Sequence, residues 1–419
     1  MDIAHYSFQN ALQLTFDAIQ PLPVEWVELP RLLGRVTAED IYSLVDSPSV
    51  DSSLKDGYAV RSKDISSATP EHPARLEMVG QAVAGGDQVQ EVRAGTAMRI
   101  LSGAALPRSA EAVVAEEFTR IEGDRLIVIG NAEPGRNVLW RGSDVAVGQR
   151  LIPAGVVLHP ARTGLLAASG HTGASVFQQP RVAIIATGDE VVAPGIPLGP
   201  GKLYASNLVT LAAWCMHYGM QVATQVVPDR PNAIEASLLS SLATHDALIT
   251  SGGAWNGDRD LVVRVLDRLG WQKAYHRVRI GPGKAVGFGL LEGKPVFCLP
   301  GGPPSNYMAF LNLALPGLMK LAGFKQLGLP VIAARLSEDV YGQNDWTQFI
   351  QGRFEQQKGY TAFHPMKLSG RLQMMALAEG ILTIPVGQDQ ITAGSSVPVK
   401  ILSLPGHTEQ PESLTLKGI

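Results

Sequence analysis

The residues best suited to chemistry lie between Thr250 and Ser305. The stretch opens Thr250-Ser251-Gly252-Gly253-Ala254-Trp255-Asn256-Gly257-Asp258-Arg259-Asp260. It continues through Arg279-Ile280-Gly281-Pro282-Gly283-Lys284 and closes on Leu299-Pro300-Gly301-Gly302-Pro303-Pro304-Ser305. Glycine lets backbone N–H groups come close to an anion, and a helix N-terminus adds partial positive charge. One Gly-Gly loop alone reads equally well as a tight strand-to-helix turn. Three such loops in about sixty residues point to a phosphate site. Two more loops, Thr187-Gly188-Asp189-Glu190 and Pro228-Asp229, add carboxylates. Glu190, Asp229, Asp258 and Asp260 are able to hold a divalent cation or orient an oxyanion. Lys284 is placed to reach a phosphate. A helix cap or a solvated turn is the ordinary alternative for each acid, and Asp258 reads as the cap of its helix. No Ser/His/Asp or Cys/His set accompanies them. The chemistry implied is transfer at a phosphate group or metal centre, without a nucleophilic side chain.

These loops need elements to hold them. Ala247-Leu248-Ile249 precedes the first glycine loop, and Leu261, Val262, Val265, Leu266 and Leu269 follow at helical spacing. A buried strand therefore runs into the loop, and the loop opens a helix. Val182-Ala183-Ile184-Ile185-Ala186 is apolar throughout, as in a parallel strand covered on both faces. Ser206 reads as the cap of a helix that places Leu208, Leu211, Ala212, Cys215 and Met216 on one face and ends at Gly219. A strand at 222–227 and a helix at 234–242 complete the alternation. Residues 180–325 thus form a doubly wound α/β domain, with its functional loops at the carboxyl ends of the strands. Upstream, residues 6–20 read as a helix with Phe8, Leu12, Phe16 and Ile19 on one face, stopped by Pro21 and Pro23. Residues 46–143 carry short strands at 76–80, 97–101, 112–115 and 126–129, with polar loops at 51–60 and at Ser102-Gly103-Ala104. The pattern is mixed over 144–175. It is strand-like again over 326–419, with candidates at 347–354 and 381–385, which suggests a small β-barrel or sandwich.

Composition narrows the class. A chain of 419 residues is too long for one core. With 45% hydrophobic and 17% charged residues it is ordinary globular material. The net charge of −3 gives no electrostatic case for nucleic-acid binding. The two cysteines, Cys215 and Cys298, sit in apolar runs and make neither a disulfide framework nor a zinc site. The nine histidines show no helical metal-ligand pair. No stretch approaches a membrane span, and the first residues lack a basic start and an apolar core, so a cytoplasmic protein is expected.

Six segments in order carry a resemblance to a known family. They are Asp56-Gly57-Tyr58-Ala59-Val60, Arg141-Gly142-Ser143-Asp144, Thr187-Gly188-Asp189-Glu190, Ser251-Gly252-Gly253, Pro282-Gly283-Lys284 and Leu299-Pro300-Gly301. Nearly the whole chain resembles the molybdopterin molybdenumtransferases, which include the E domain of gephyrin. The resemblance implies a multidomain α/β plus β fold. A helical stalk (1–45 and 144–178) carries an inserted β domain (46–143), followed by the molybdopterin-binding α/β domain (179–326) and a C-terminal β-barrel (327–419). It implies a homodimer with no nucleic-acid or membrane partner, and a molybdopterin adenylyltransferase acting upstream. The implied reaction takes adenylylated molybdopterin and molybdate, assisted by Mg2+, releases AMP and leaves molybdenum on the dithiolene. Carried onto this chain, Asp56, Glu190, Asp229 and Asp260 are the catalytic acids, and Glu190, Asp229 and Asp260 the metal ligands. Ser102, Thr187, Gly188, Asp189, Ser251, Gly252, Gly253, Asp258, Lys284, Pro300, Gly301, Gly302, Pro303 and Ser305 contact the substrate.

The chain departs from the family pattern at Ser52, Leu54 and Lys55, through 254–259, at Gly302 where asparagine is usual, and at Gly281 where lysine is common. Ser102 replaces a threonine and keeps the hydroxyl. One basic residue and one side-chain amide are lost, while the acidic set stays. The departures leave two other readings in play: a paralogue that binds molybdopterin without inserting metal, and an enzyme using the same α/β domain on another nucleotide or pyrophosphate. Molybdate and tungstate are not separable from sequence.

Overall fold

The computed structural model describes residues 6–86, 91–253, 261–367 and 371–403. Its central sheet is built on the apolar run at 182–186. The strand order is Gln221–Val227, Arg181–Thr187, Ala247–Ser251, Lys294–Leu299, Gly287–Leu291, Gln272–His276. The first four strands are parallel, and the last two run antiparallel to their neighbours. Alternate residues of Arg181–Thr187 feed two cores. Val182, Ile184 and Ala186 join one, and Ala183 and Ile185 the other. Helices Pro231–Thr244 and Leu261–Arg268 close the second face through Ile234, Leu238, Val262 and Leu266. The first face is covered by Ser206–His217 and by the run from Pro303 to Leu321, which holds one π-helical turn, Phe310–Ala314. This two-sided cover is why the strand needs no polar alternation.

The helix Ser206–His217 differs from expectation in two details. Ser206 is its first helical residue and makes no side-chain cap, and Met216 is exposed. Gly219, at φ +75°, ends the helix, and Met220 N–H returns to the Cys215 carbonyl.

The N-terminal helix Phe8–Ala18 also packs on the α/β core, with Phe8, Ala11 and Ile19 buried there. The Thr15 hydroxyl, buried beside it, meets Tyr275 Oη at 3.0 Å and the Ala11 carbonyl at 2.9 Å. The rest of 1–45 and 144–178 differs from the expected helical stalk. Two antiparallel ladders dominate it, Val24–Glu28 with Gly173–Phe177 and Ile41–Tyr42 with Arg150–Ile152. The helix Pro160–Ala168 packs beside them over Leu32, Ile152 and Leu166.

Between these segments lies a second six-stranded sheet, ordered Ala112–Ala115, Gly57–Val60, Thr96–Ile100, Ala74–Ala82, Arg125–Val128, Thr119–Glu122. Toward the C-terminus, Thr347–Gln357, Tyr360–Pro365, Val331–Leu336, Ser396–Ile401 and Gly380–Ile384 pair in turn. The last strand pairs back onto Thr347–Gln357, so the barrel is closed and has no free edge within that circuit. A sixth segment, Ile280–Gly281, leaves the α/β unit and pairs in parallel with Thr347 and Gln348. The phosphate-type loop Gly281-Pro282-Gly283-Lys284 therefore starts on the barrel wall.

Gly317 shows how tightly the N-terminal helix is docked. A Cβ there would lie 2.8 Å from Phe297 Cζ, 2.8 Å from Thr15 Cγ2 and 3.0 Å from Ile19 Cδ1. Gly317→Val is expected to destabilise the protein by about 1–3 kcal/mol through overpacking. Urea unfolding of the two proteins would measure this, and equal midpoints would show that the helix is only loosely seated.

Candidate functional site

Three parallel strands end side by side at Thr187, Ser251 and Leu299. The loops leaving them touch through their backbones. Gly252 sits at φ +104°, and a Cβ on it would lie 2.7 Å from the Thr187 carbonyl oxygen. Gly253, at φ +63°, has Val262 where its Cβ would go, at 2.8 Å. Gly252 N–H donates to the Leu299 carbonyl at 3.1 Å, and Gly301 packs on the Gly252 Cα. Thr187 is buried, and its hydroxyl has no partner among the described residues. It faces the positions where Gly252 and Gly253 lack side chains. A buried unpaired hydroxyl beside bare backbone suits a ligand that brings its own acceptors.

The Ser251 hydroxyl is fixed from two sides. Asn207 Nδ2 donates to it at 3.0 Å and Asn306 Nδ2 at 3.1 Å. The same amides donate to the carbonyls of Gly301, at 2.8 Å, and Pro300, at 2.9 Å. Sequence reasoning missed both asparagines. The available signal was position: each lies at the start of a helix beside an expected loop, Asn207 after Ser206 and Asn306 after Ser305. Ser305 itself lies further along the crevice, and Pro303 opens the helix Pro303–Ala309 with Gly302 as its cap residue.

The acids gather at the other end of the crevice. Gly188, at φ +144°, leaves room for the Glu190 carboxylate, whose oxygens lie 2.8 Å from where a Cβ would stand. Asp189 Oδ1 accepts from Asp229 N–H at 3.2 Å, and the Asp189 carbonyl accepts from Lys202 Nζ. Burial and the charges of Glu190 and Asp189 raise the Asp229 carboxyl above the usual aspartate range. The structure thus brings together Asp189, Glu190 and Asp229. Among the described residues no three acids, histidines or cysteines are preassembled as a metal site. Asp258 and Asp260, with Trp255 and Asn256, lie outside the described residues.

Lys284 stands on the opposite wall. A cleft of about 440 Å³ runs between Gly281–Ala285 and Pro300, Gly302 and Ser305, with Gln343, Trp346 and Gln348 of the barrel as its floor. Lys284 Nζ lies 5.8 Å from the Trp346 ring centre. The barrel residues were not anticipated, because nothing in their local pattern marks them. Asp56 and Ser102 form a pair elsewhere, with Ser102 N–H donating to Asp56 Oδ1 at 2.7 Å. Among the described residues, the strands flanking them pack extensively only within their own sheet.

Comparison with known proteins matches three stretches of the chain. The family described as "MoeA N-terminal region (domain I and II)" matches residues 6–170, "Probable molybdopterin binding domain" matches 183–320, and "MoeA C-terminal region (domain IV)" matches 333–402. The molybdopterin molybdenumtransferase of a Nostoc species is 32% identical over 411 residues, covering 95% of this chain and 94% of the relative. Molybdopterin molybdenumtransferase 2 of Mycobacterium tuberculosis is 32% identical over 89% of this chain and 94% of its own. Among solved structures, the molybdopterin biosynthesis moeA protein of Pyrococcus horikosii aligns with a TM-score of 0.80 and 31% identity, covering 95% of this chain and 99% of that one.

Two outcomes follow from the crevice. Gly252→Val, with its left-handed backbone and a carbonyl in the way, is expected to abolish molybdopterin binding in equilibrium dialysis; normal binding by a folded variant would make the loop a mere turn. Asp229→Asn tests the acid cluster. Its raised carboxyl disfavours the ionised native form, so the stability loss is fully present at neutral pH and vanishes once pH falls below the unfolded aspartate value of 3.8. The variant should therefore melt higher than wild type at pH 7 and lose that advantage below pH 3.8. A lower melting temperature at pH 7 would contradict the assignment.

Proposed function

Because this chain belongs to the molybdopterin molybdenumtransferase family, and so is a transferase of molybdenum cofactor biosynthesis with molybdopterin and molybdate as substrates, we propose how its residues divide the work. The observation that carries the reading is the strand-end junction, where the orphaned Thr187 hydroxyl faces the bare backbone of Gly252 and Gly253. This junction binds the adenylate phosphate of adenylylated molybdopterin. Ser251, held by Asn207 and Asn306, keeps the junction rigid and contributes a hydroxyl oriented in advance. Lys284 and the bare backbone of the glycine loops face the remaining anionic groups across the cleft. Both substrates are anions, so these positive groups offset the repulsion between them. AMP leaves, and molybdenum remains on the dithiolene.

The donor set on the acid side fits Mg2+. Burial, and after it the charges of Glu190 and Asp189, raise the Asp229 carboxyl, and a hard divalent cation would relieve the repulsion among the three acids. Glu190 and Asp229 would hold the ion with Asp260, and the bound ion supplies counter-charge for the phosphate oxygens.

The chain is read as four units: 1–45 with 144–178, 46–143, 179–326 and 327–419. The separate cores of the α/β sheet, the inserted sheet and the barrel support this division. The protein acts as a homodimer in the cytoplasm, downstream of a molybdopterin adenylyltransferase. Support for the dimer is the distance in sequence and packing between the Asp56–Ser102 pair and the crevice, which leaves that pair available to a second copy's site.

The direct test is incubation of the purified protein with adenylylated molybdopterin, Mg2+ and molybdate. Stoichiometric AMP release and reconstitution of a molybdenum-dependent apoenzyme are expected, and binding without AMP release would turn the reading to a carrier. Within that assay Asp260→Asn should lower turnover at least about a hundredfold, roughly 2.7 kcal/mol of transition-state stabilisation. Wild-type turnover by that variant would remove Asp260 from the acid set. Mixed Asp56→Ala and Asp260→Ala chains should regain activity in heterodimers if two chains complete each site. An inactive mixture with heterodimers present would confine the site to one chain.

A further inference from the structure

A second cleft, of about 390 Å³, adjoins the first at Pro282. Its walls are Pro304 and Met308 from the helix after the glycine loop, and Phe349, Gln351, Met366 and Met374 from the barrel region, with Asp339 and Lys367, the latter paired with Glu338, as its charged lining. Most of this lining is apolar. Gln351, only 6% exposed, carries a buried Nε2 donor with no partner among the described residues. A donor left unpaired in such a lining calls for a ligand that presents acceptors.

Behind this wall lies a cation that the reading above does not use. Lys400, on the barrel strand Ser396–Ile401, has its Nζ 5.7 Å from the ring centre of Phe349 and 5.7 Å from that of Phe8. It donates to Asn312 Oδ1, and Asn312 Nδ2 donates to the Met308 carbonyl at 2.9 Å. Lys400 thus touches both walls of the cleft at one remove, through the Phe349 ring on one side and through Asn312 and Met308 on the other. Its neighbours come from three elements: Phe8 of the N-terminal helix, Asn312 of the π-helical turn and Phe349 of the adjoining strand. All are neutral, and among the described residues no carboxylate, histidine or second cation contributes to its titration.

We propose that Lys400 is a positioning residue for the anionic substrate: an ammonium with no counter-ion among the described residues, set behind the Phe349 wall, that biases the cleft toward anions while holding Phe349 and Met308 in place. The inference rests on the transferase reading. It is separable from it, because anion binding is measured without turnover.

Burial lowers the Lys400 ammonium from 10.5 to about 8. The two rings and the Asn312 oxygen offset only part of the desolvation. As pH rises, the native protein loses this proton before the unfolded chain does, so stability should rise between about pH 8 and 10.5. Below pH 8 the charge lowers stability. A residue kept only to hold the barrel in place would act in the opposite sense.

The test is calorimetric titration of molybdate alone into wild type, Lys400→Met and Lys400→Arg, from pH 7 to 9, with melting temperatures alongside. Wild type is expected to bind about fivefold more weakly at pH 9 than at pH 7, because about a tenth of the ammonium remains at pH 9 and one charge acting across a ring in a partly buried site is worth about tenfold. Lys400→Met should bind about tenfold more weakly than wild type at pH 7, without pH dependence, and melt no lower than wild type. Lys400→Arg should keep the pH 7 affinity. Wild-type affinity that is flat across pH 8, a Lys400→Met affinity within twofold of wild type, or no molybdate binding by wild type would each overturn the proposal. If Lys400→Met fails to fold, the wild-type pH series and Lys400→Arg decide it. AMP release by wild type is scored separately and tests the transferase reading.

Discussion

Everything in the crevice depends on three strand ends approaching to backbone contact. Thr187, Ser251 and Leu299 end neighbouring parallel strands, and the loops beyond them would collide if they carried side chains. Gly252 is fixed twice, by a left-handed backbone and by the Thr187 carbonyl where its Cβ would stand. The absence of side chains leaves bare backbone and one buried hydroxyl facing each other at the junction. The two asparagines that grip Ser251 come from different helices, so the junction is tied to both Ser206–His217 and Pro303–Ala309. The junction proposed to hold an anion is in this way supported by two helices of the first face of the sheet.

The electrostatics on either side of that junction oppose folding. At one end, burial and the neighbouring charges of Glu190 and Asp189 make Asp229 resist ionisation. At the other, an amine is buried between rings with only an amide oxygen for company. Neither arrangement is what packing alone would select, since an isolated buried charge is unfavourable and like charges repel. Such groups persist where a ligand of opposite sign completes them. The α/β and barrel cores are large and apolar enough to carry that loss.

Much of this was legible in the residues. The unbroken apolar run at 182–186 announced a strand covered on both faces, because period-2 alternation disappears when both sides are dry. The glycine loops announced the crevice, since only glycine tolerates such close backbone approach. What stayed hidden was contact made across the chain. Asn207 and Asn306 look like ordinary polar residues at helix starts; their importance appears only once Ser251 stands between them. Met216 continued the apolar stripe yet is exposed, while Cys215 beside it is fully buried, so the stripe is narrower than its apolar residues suggest. The helical stalk came from family resemblance, and the described segments there interleave two helices with two short ladders, because their short apolar runs also find partners across a long sequence gap.

The pairing of Ile280–Gly281 with Thr347 and Gln348 reaches beyond geometry. A cation-bearing loop of the α/β unit is also a strand of the barrel sheet, so the two are not interchangeable modules. Recombination that grafted this barrel onto a different α/β unit would have to reproduce the edge, its register and the Trp346 ring beneath Lys284. Inheritance of these parts is therefore expected to be joint, and chimaeras cut between them should lose the crevice even when both halves fold.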